Sequence, residues 1–360
     1  MNRYKADTQI ISGPGALAEL KTFGARRLFV VTDPYFYDNG TAAQVAAKAQ
    51  AQQVEYFNKV KPDPSVELAA EGTALVRAFQ PEVLVALGGG SAMDCAKAML
   101  YFSGSDAKFI AIPTTSGSGS EVTDFAILTH NGVKHPLVDQ RLRPDVAILD
   151  SDLLQKLPKS LIADTGFDAI SHALEAFVGR DAGMITDALA SAAFSTVYGL
   201  LPASYGGDTS VRQKIHTAST MAGMAFNGAG LGLCHAMSHA LGGAFHLPHG
   251  RLNAILLPAV ISCNAHAAGE KYQKIAAAAG LGGSAQTMAV RNLKNALVRL
   301  RRELDMPDTL AQAGVSPITV RSNSAALVQA VLADPCCATN PIPVEDFMVR
   351  RVLDEVTGRA

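Results

Sequence analysis

The sequence predicts an α/β domain followed by an all-α domain, and three observations support that prediction. Short apolar runs alternate with helix-like segments up to about residue 150. After "LPKS" such runs almost vanish, and Ala, Leu and Met recur at helical spacing instead. The chain has 360 residues, 48% of them hydrophobic, which is enough for two cores. We therefore place an α/β domain over residues 1–157 and a helical domain over residues 158–360.

The strand-like runs of the first half are continuously apolar rather than alternating. Such runs suit parallel strands that are buried on both faces of a sheet. Ala-rich segments with helical spacing lie between them, as βαβ units require. The first half should thus be a doubly wound α/β domain, with strands at 27–33, 54–57, 82–90, 109–115 and 146–150.

The second half reads as helix throughout, with one weaker stretch. Segments such as "TDALASAAFSTVYGLL" and "AVRNLKNALVRLRREL" repeat apolar residues at helical spacing. Prolines interrupt residues 315–344, which we expect to form one short helix between loops.

The charge balance favours a small-molecule ligand. Lys plus Arg number 31 and Asp plus Glu 32, so there is no basic surface for nucleic acid or for a membrane. The N-terminal stretch lacks a signal-peptide pattern, and no long uncharged apolar run predicts a membrane span. The five cysteines are scattered without CxxC spacing. We expect a soluble cytoplasmic protein with reduced, mostly structural thiols.

A glycine-rich loop follows the third predicted strand. Gly88 to Gly90 let the backbone approach a pyrophosphate, and amides at the start of the next helix can bind its charge. Ser91 is placed to cap that helix. Asp94, in the first turn, is expected to bind a cofactor hydroxyl or amide. A simple tight turn is the alternative interpretation.

A second polar loop also indicates a nucleotide site. "IPTTSGSGSEVT" also follows a strand and offers the hydroxyls of Thr114, Thr115 and Ser118. Ligands of open α/β sheets bind at the carboxyl ends of the strands. By contrast, "GPGALA" at 13–18 has Ala18 where the dinucleotide fingerprint needs glycine, so we interpret it as a structural turn.

Asp33 is the last residue of the first predicted strand, 27–33. An acidic side chain there can accept hydrogen bonds from a ribose 2'-hydroxyl and repel a 2'-phosphate, which would select NAD over NADP. The alternative, equally consistent with the spacing, is a turn residue before Pro34.

Asp168 and His172 are the first candidate metal ligands. They lie four residues apart in "TGFDAISHALEAF", hence on one face of a helix. An exposed hydrogen-bonded pair is the alternative. Asp164 and Glu175 are rivals at neighbouring helical positions, although Glu175 fits a partner of a ligand better than a ligand.

Residues 232–250, "GLCHAMSHALGGAFHLPHG", contain four histidines. His235 and His239 share a helical face, while His249 follows a proline at a turn. The stretch lacks the Glu of HExxH, which excludes the base of a zincin peptidase. One Asp and three His from separate segments would suit Fe(II), Zn(II), Mn(II) or Co(II) and leave a position for substrate.

These motifs together resemble one family. "GGGSAMDCAK", "PTTSGSGSEVT", "TGFDAISHALEAF" and the histidine-rich stretch match, in order and over essentially the whole chain, motifs of the iron-containing (group III) alcohol dehydrogenases. The chain also looks like the members that accompany propanediol, ethanolamine or choline breakdown in bacterial microcompartments. The resemblance implies a dehydroquinate synthase-like fold: an N-terminal dinucleotide-binding α/β domain, a helical C-terminal domain, and the metal in the cleft between them.

The resemblance also implies roles for single residues. The metal ligands would be Asp168, His172, His235 and His249, and His239 would be a catalytic residue near the nicotinamide. His246 has no defined task. The cofactor would be held by the residues that match the family's nucleotide motifs, namely Asp33, Gly89, Gly90, Ser91, Asp94, Thr114, Thr115, Ser118 and Lys134.

The function implied is an NAD-dependent, Fe(II)-dependent alcohol dehydrogenase. It would interconvert short primary alcohols and aldehydes, such as ethanol or propanol with acetaldehyde or propionaldehyde, and reduce aldehyde to regenerate NAD. A homodimer is expected, with a bacterial microcompartment as a candidate location. Alternatives are a zinc-dependent glycerol or 1,2-propanediol dehydrogenase, a metal-dependent hydrolase that leaves the nucleotide loops unexplained, and a non-catalytic NAD-binding sensor that leaves the ligand set idle.

Overall fold

The computed structural model describes residues 4–130 and 133–358. Within them the chain forms two compact units. The first unit is Ala6–Leu157, and the second runs from Pro158 onward and takes in Tyr4 and Lys5. The predicted fold class, an α/β unit followed by an all-α unit, is confirmed.

The first unit contains a six-stranded sheet in which every neighbouring pair is parallel, in the order β1-β8-β5-β4-β2-β3. A separate antiparallel hairpin pairs β6 with β7. The strands are β1 Gln9–Ser12, β2 Arg27–Thr32, β3 Gln53–Phe57, β4 Val83–Gly88, β5 Lys108–Pro113, β6 Phe125–His130, β7 Val133–Val138 and β8 Val146–Leu149.

Both faces of the sheet are covered, which explains the continuously apolar strands. Side chains of alternate residues, such as Phe29 and Leu84, join one buried cluster, while their neighbours Val30 and Val85 join the other. The helices that cover these faces are α1 Pro34–Asp38, α2 Thr41–Ala49, α3 Val66–Phe79 and α4 Gly90–Ser103.

Three strands of this unit were not predicted. β1 is a short edge strand, and β6 and β7 form the hairpin. The hairpin's strands mix polar and apolar residues, and Pro136 lies within β7, so the sequence there resembles a loop.

The second unit is built from helices, as predicted, and no strand occurs among its residues 158–358. The helices are α5 Lys159–Val178, α6 Met184–Tyr205, α7 Arg212–Ala229, α8 Leu233–Phe245, α9 His249–Ala278, α10 Gln286–Glu303, α11 Pro317–Ala333 and α12 Asp346–Thr357. Nearly all of α5 after its first turn is buried. Its candidate ligands are therefore held in the core of the unit.

The stretch 315–344 differs from the prediction of a short helix between loops. α11 has 17 residues, and a 3-10 helix, Pro335–Thr339, follows it. Pro317 and Pro335 stand at the first positions of these helices, where proline is tolerated because no intrahelical N–H is needed there. Proline here begins helices rather than interrupting one.

Among residues 4–130 and 133–358, two helices, α6 and α9, are long and apolar enough to cross a membrane by length and composition alone. Most of α9 is buried within the helical unit, as in the core helix of a globular domain. α6 packs against α5 and α7. Both helices thus have packing partners within their own unit.

Candidate active site

The predicted nucleotide residues lie at the carboxyl ends of three neighbouring strands. Asp33 follows β2, Gly89 and Gly90 follow β4, which ends at Gly88, and Thr114–Ser118 follow β5. These three strands are adjacent in the sheet. The Thr114 N–H donates to the carbonyl of Gly88 at 3.0 Å. The two polar loops are therefore joined, at the edge of the sheet where ligands of this architecture bind.

Gly89 and Gly90 permit the close approach of these loops. A Cβ atom on Gly89 would lie 3.3 Å from Thr115 Oγ1, and one on Gly90 would lie 3.2 Å from Ser118 Cβ. The prediction that Ser91 caps α4 was wrong. The helix begins at Gly90, so Ser91 lies inside it, and the N-cap is Gly89, which has no side chain to accept a hydrogen bond. Backbone amides, not a serine hydroxyl, are what this helix start offers to an anion.

Asp33 has one carboxylate oxygen in a helix cap. Its Oδ1 accepts from the Phe36 N–H at 3.0 Å, so it is the N-cap of α1. Its Oδ2 lies 3.8 Å from the position of a Cβ on Gly88. The turn interpretation and the ribose interpretation are thus compatible, because capping uses one oxygen and the other lies by the glycine loop.

Asp94 and the buried Lys97 bind protein groups. The sequence predicted Asp94 in the first turn of α4. Because α4 begins at Gly90, Asp94 instead lies beyond that turn. Its oxygens accept from Ser120 Oγ at 2.9 Å and from the Ile127 N–H at 3.2 Å. Lys97 Nζ donates to Ser120 Oγ at 3.0 Å and to the Phe125 carbonyl at 2.8 Å. This network fastens the loop after β5 to α4.

Lys97 was missed by the sequence analysis. Burial lowers the pKa of its ammonium to about 8, against the attraction of Asp94. A single lysine among the apolar residues of "DCAKAML" was the available signal. Lys134, predicted to reach the cofactor, lies on β7, and its Nζ is 2.7 Å from Asp63 Oδ1.

The rejected fingerprint at 13–18 has its amides bound to protein. Asp150, directly after β8, accepts from the Gly15 and Leu17 N–H groups, each at 3.0 Å. These amides are consequently engaged by a carboxylate, as befits a structural turn.

In the helical unit, one carboxylate oxygen faces three histidines. Asp168 Oδ1 lies 3.8 Å from His172 Nε2, 3.8 Å from His235 Nε2 and 3.6 Å from His249 Nε2. Ligand atoms about 2.1 Å from one ion at tetrahedral angles are about 3.4 Å apart. Each histidine nitrogen therefore lies near the distance from Asp168 Oδ1 expected of a second ligand to the same cation, and an oxygen and nitrogen donor set suits Fe(II) or Zn(II).

The four side chains are not equally close. Asp168, His235 and His249 each offer a donor atom within 4.8 Å of the others. His172 joins them through Asp168, and its ring stacks on Phe226 and on His235, with centroids 4.4 and 4.6 Å apart. Stacking fixes the plane of the His172 ring beside the cluster.

Helix starts place His235 and His249. His235 is the third residue of α8, and His249 is the first residue of α9, after Pro248. Gly250 lets α9 begin against α5, because a Cβ there would lie 1.8 Å from the Asp164 carbonyl oxygen. Arg251 adds a two-pronged ion pair to the Asp164 carboxylate. Asp164, once a rival ligand, thus pairs with an arginine.

Glu175 is buried and binds the start of α8. It accepts from the Gly232 N–H at 2.9 Å and the Cys234 N–H at 2.7 Å. Its Oε2 also lies 2.6 Å from His235 Nδ1. With Nδ1 held by a carboxylate, the Nε2 atom of His235 is left on the side of Asp168. Glu175 therefore has the geometry of a partner rather than a ligand.

Asn253, one turn after His249, also touches the cluster. Its Nδ2 donates to Asp168 Oδ1 at 2.8 Å and lies 3.3 Å from His235 Nε2. Its Oδ1 accepts from the hydroxyl of Ser238. Asn253 was not predicted from the sequence, although its position four residues after His249 on one helix was a usable signal.

The cluster alters the pKa values of its members. Burial would raise the pKa of Asp168, but the opposing histidines, His172 first, lower it well below its usual range. Burial would lower the pKa of His235, yet the nearby Asp168 carboxylate and the hydrogen bond with Glu175 raise it to about 9. Burial lowers the pKa of His249. The carboxylate is thus ionised, as a cation ligand must be.

The two remaining histidines of the stretch differ sharply. His239 Nδ1 lies 2.8 Å from Asp334 Oδ2, and its ring stacks on His249 at 5.2 Å between centroids. His246 is exposed and is the C-cap of α8, with φ of 56° and its N–H bound to the Gly242 carbonyl. His246 ends a helix, and the structure gives it no contact with the cluster.

Comparison with known families gives two matches that together span most of the chain. Residues 7–151 match the model described as "Iron-containing alcohol dehydrogenase". Residues 162–356 match "Fe-containing alcohol dehydrogenase family, C-terminal".

Similar proteins and structures come from several organisms. The 1-propanol dehydrogenase PduQ of Salmonella typhimurium is 39% identical over 99% of this chain and its own full length. The NADPH-dependent butanol dehydrogenase of Clostridium saccharobutylicum is 35% identical over 98% of this chain and 97% of its own. An iron-containing alcohol dehydrogenase from Thermococcus thioreducens has a TM-score of 0.90 and 33% identity, covering 99% of this chain and 100% of its own. The sulfoacetaldehyde reductase of Bifidobacterium kashiwanohense, solved with NAD+, has a TM-score of 0.91 and 27% identity over the full length of both chains.

Proposed function

The chain belongs to the iron-containing alcohol dehydrogenase family, and we propose that it acts as an NADH-dependent reductase of short primary aldehydes. As a member of that family it is an alcohol oxidoreductase that interconverts alcohols and aldehydes, with NAD and Fe(II) as cofactors. The observation that carries the proposal is the single carboxylate oxygen of Asp168 facing three histidine Nε2 atoms. A metal-dependent hydrolase would not need the nucleotide loops, and a non-catalytic NAD-binding sensor would not need the Asp168 cluster.

Asp168, His172, His235 and His249 are the proposed ligands of Fe(II). Asp168, His235 and His249 have donor atoms close enough to share one cation, and His172 lies beside Asp168. Asp168, His172 and His235 are buried, whereas His249 is partly exposed. Glu175 and Asn253 hold His235 and Asp168 in place through hydrogen bonds. When bound, Fe(II) lowers the pKa of a substrate hydroxyl or polarises a carbonyl, and NAD carries the hydride.

The chain's own part in the chemistry is to orient groups and to move a proton. His239 is the proposed proton relay, because its ring stacks on a proposed ligand and is partly accessible to solvent. In aldehyde reduction it donates a proton to the product oxygen, and in alcohol oxidation it accepts one. A His239→Ala variant with full metal content and unchanged turnover across pH would contradict this role.

NAD is proposed to bind the loops at the carboxyl edge of the sheet. Gly89 and Gly90 lie close to Thr115 and Ser118, so the two loops form one polar surface, which supports this placement. Ser91, Asp94, Thr114 and Lys134 are the further proposed contacts. Asp33 is the proposed selector of NAD over NADP, since its second oxygen lies beside the glycine loop.

Short primary alcohols and aldehydes are the proposed substrates. The segments "GAGLGL" and "GGAFHL" beside the cluster offer little to bind a charged substrate. Similarity to a 1-propanol dehydrogenase and to a butanol dehydrogenase supports the same class. Propionaldehyde and acetaldehyde are therefore the first compounds to test.

We further propose that the enzyme is a cytoplasmic homodimer, with a bacterial microcompartment as its candidate location. The 39% identity to the 1-propanol dehydrogenase PduQ supports the resemblance to the microcompartment-associated members of the family, on which this proposal rests. Light scattering of the purified protein would test the dimer. Co-sedimentation with purified microcompartments would test encapsulation.

The central experiment compares metals and substrates. Protein stripped of metal is reconstituted anaerobically with Fe(II) or Zn(II), and NADH oxidation is followed with propionaldehyde and acetaldehyde, and NAD reduction with glycerol and 1,2-propanediol. We expect turnover of the aldehydes with Fe(II), little without metal, and its loss in Asp168→Ala. His246→Ala is the matched control, because His246 lies in the same stretch but outside the cluster. Absence of metal-dependent turnover on any small aldehyde or ketone would overturn the proposal.

A further inference from the structure

Asp334 binds His239 although 95 positions separate them in the sequence. Asp334 follows the last residue of α11 and is the N-cap of the 3-10 helix Pro335–Thr339. Its Oδ1 accepts from the Cys336 N–H at 2.8 Å, and its Oδ2 lies 2.8 Å from His239 Nδ1. Both oxygens of the carboxylate are thus fixed, and so is the direction from which it meets the imidazole.

The ionisation of Asp334 determines which nitrogen of His239 carries the proton. Burial would raise the pKa of this carboxyl, but the hydrogen bond with His239 lowers it below its usual range. An ionised carboxylate can only accept hydrogen bonds. His239 Nδ1 must therefore be the donor, and in the neutral ring Nε2 is then the nitrogen with a free lone pair.

The ring that Asp334 fixes lies against two proposed metal ligands. The His239 and His249 planes are 17° apart with centroids at 5.2 Å, and the centroid of His235 is 6.3 Å away. A ring free to turn over would exchange Nδ1 and Nε2 between its two sides. The bond to Asp334 prevents this exchange.

We propose that Asp334 is a positioning residue, which holds His239 as the Nδ1–H tautomer so that Nε2 is the atom that takes and returns the proton. In oxidation the substrate hydroxyl proton passes to the Nε2 lone pair, the imidazolium then loses it to water, and the hydride goes to NAD. Reduction runs the same transfers in reverse. The inference rests on the proposed relay role of His239.

A second metal site is the competing interpretation. His239, Asp334 and Cys336 offer donor atoms within 4.8 Å of one another. Burial raises the pKa of the Cys336 thiol well above the usual value, so a metal would have to displace a tightly held proton to bind there. Asp334 is already committed on both oxygens. We therefore favour the hydrogen-bonded pair.

The test is a double-mutant cycle in the Fe(II)-loaded enzyme. Asp334→Asn keeps a capping side chain but offers His239 an amide that can also donate and so favour the wrong tautomer. We expect kcat for propionaldehyde to fall about 10- to 100-fold with metal content and KM for NADH unchanged. In a His239→Ala background the same substitution should change kcat less than about twofold. Asp334→Glu, which retains an acceptor-only carboxylate, should recover part of the activity.

Asp208→Asn is the matched control. Asp208 is also the N-cap of a 3-10 helix, Thr209–Val211, and accepts from the Ser210 N–H at 2.9 Å, but it is exposed and contacts no histidine. Its loss should leave kcat unchanged. An equal fall in kcat for Asp334→Asn with and without His239 would show a merely structural role and overturn the inference.

Spectroscopy supplies a readout that does not depend on activity. In Zn(II)-loaded protein labelled with 15N-histidine, the His239 signal is assigned from a His239→Gln variant. We expect Nδ1 of His239 to be protonated in the parent and the tautomers to mix or invert in Asp334→Asn. An unchanged tautomer, or a second zinc ion that is lost in Cys336→Ser, would overturn the inference. If His239→Ala has full activity, the relay proposal fails together with the inference about Asp334. If His239→Ala loses activity while Asp334→Asn keeps it, only the inference about Asp334 fails.

Discussion

Two histidines one turn apart on α8 bind different carboxylates through the same ring atom. Glu175 meets His235 Nδ1 at 2.6 Å, and Asp334 meets His239 Nδ1 at 2.8 Å. Each partner selects the nitrogen that stays available, which for His235 is the atom facing Asp168. These different partners are consistent with the different roles proposed for the two histidines.

Loss of the Glu175 charge should weaken metal binding. In Glu175→Gln the side-chain oxygen can still accept from backbone amides, but His235 loses the anion that orients its ring. We expect affinity for Fe(II) or Zn(II) to fall about 10- to 100-fold, measured by competition with a chromophoric chelator. Asp187→Asn, which removes a carboxylate paired with Lys271 in the same unit, is the control and should leave metal affinity unchanged. Equal affinities in Glu175→Gln and the parent would contradict the role of Glu175.

Asp33 allows a test of cofactor choice at a single side chain. Asp33→Ala and Asp33→Asn both remove the charge, and the asparagine keeps the cap of α1. We expect each to raise kcat/KM for NADPH relative to NADH by about tenfold, a difference of about 1.4 kcal/mol. Asp38→Ala removes a charge at the other end of the same helix and should not shift the ratio. If the ratio is unchanged in both Asp33 variants, another residue selects the cofactor.

At the scale of elements, the start of α9 is positioned by backbone contact with α5. His249 and Gly250 open α9, and Gly250 meets the Asp164 carbonyl too closely for any side chain. Arg251 then pairs with the Asp164 carboxylate. Three consecutive residues thus provide a proposed ligand, a close contact and an ion pair, and the helix register places the ligand.

Gly250→Ala should move or destabilise this junction. The new Cβ would lie 1.8 Å from a backbone oxygen, so α9 must shift. We expect a loss of about 3 kcal/mol in the free energy of unfolding, together with weaker metal binding, because His249 is adjacent. Gly243→Ala is the control: that exposed position in α8 has no atom within 4 Å of an added Cβ, and helix propensity predicts a gain of about 0.5–1 kcal/mol. Denaturant unfolding measures both, and equal stability of the two variants would contradict the contact.

At the scale of the whole molecule, each unit carries one half of the proposed chemistry. The nucleotide loops lie in Ala6–Leu157, and all four proposed metal ligands lie in the helical unit. A cation that binds four side chains from three helices requires those helices to be folded, so metal binding should stabilise the helical unit.

Metal removal should therefore lower thermal stability. With free Fe(II) at 100 times its dissociation constant, linkage predicts a stabilisation of about 2.7 kcal/mol. Anaerobic thermal unfolding with Fe(II) and with a chelator should show the difference as a shift in Tm. Asp168→Ala should abolish the shift, whereas His246→Ala should retain it. A Tm independent of metal in the parent protein would argue against a preformed ligand set.

Local pattern was enough for the main strands and most helices, because period and composition are properties of neighbouring residues. Short apolar runs predicted β2, β4, β5 and β8, the mixed run 54–57 predicted β3, and helical spacing placed Asp168 beside His172. The same patterns failed at the hairpin β6–β7 and at α11, where prolines occur within or at the start of regular structure. Resemblance to a family, rather than spacing, separated His239 from His235.

Hydrogen-bond partners distant along the chain were beyond the reach of such patterns. Glu175 is 60 positions from His235, Asp334 is 95 from His239, and Asn253 is 85 from Asp168. Ring orientation and tautomer depend on these partners, which only chain folding brings together. Sequence therefore determined the fold class and the candidate ligands. Tertiary structure decided which ring nitrogen of His235 and of His239 is bound to a carboxylate, because those carboxylates come from residues distant along the chain.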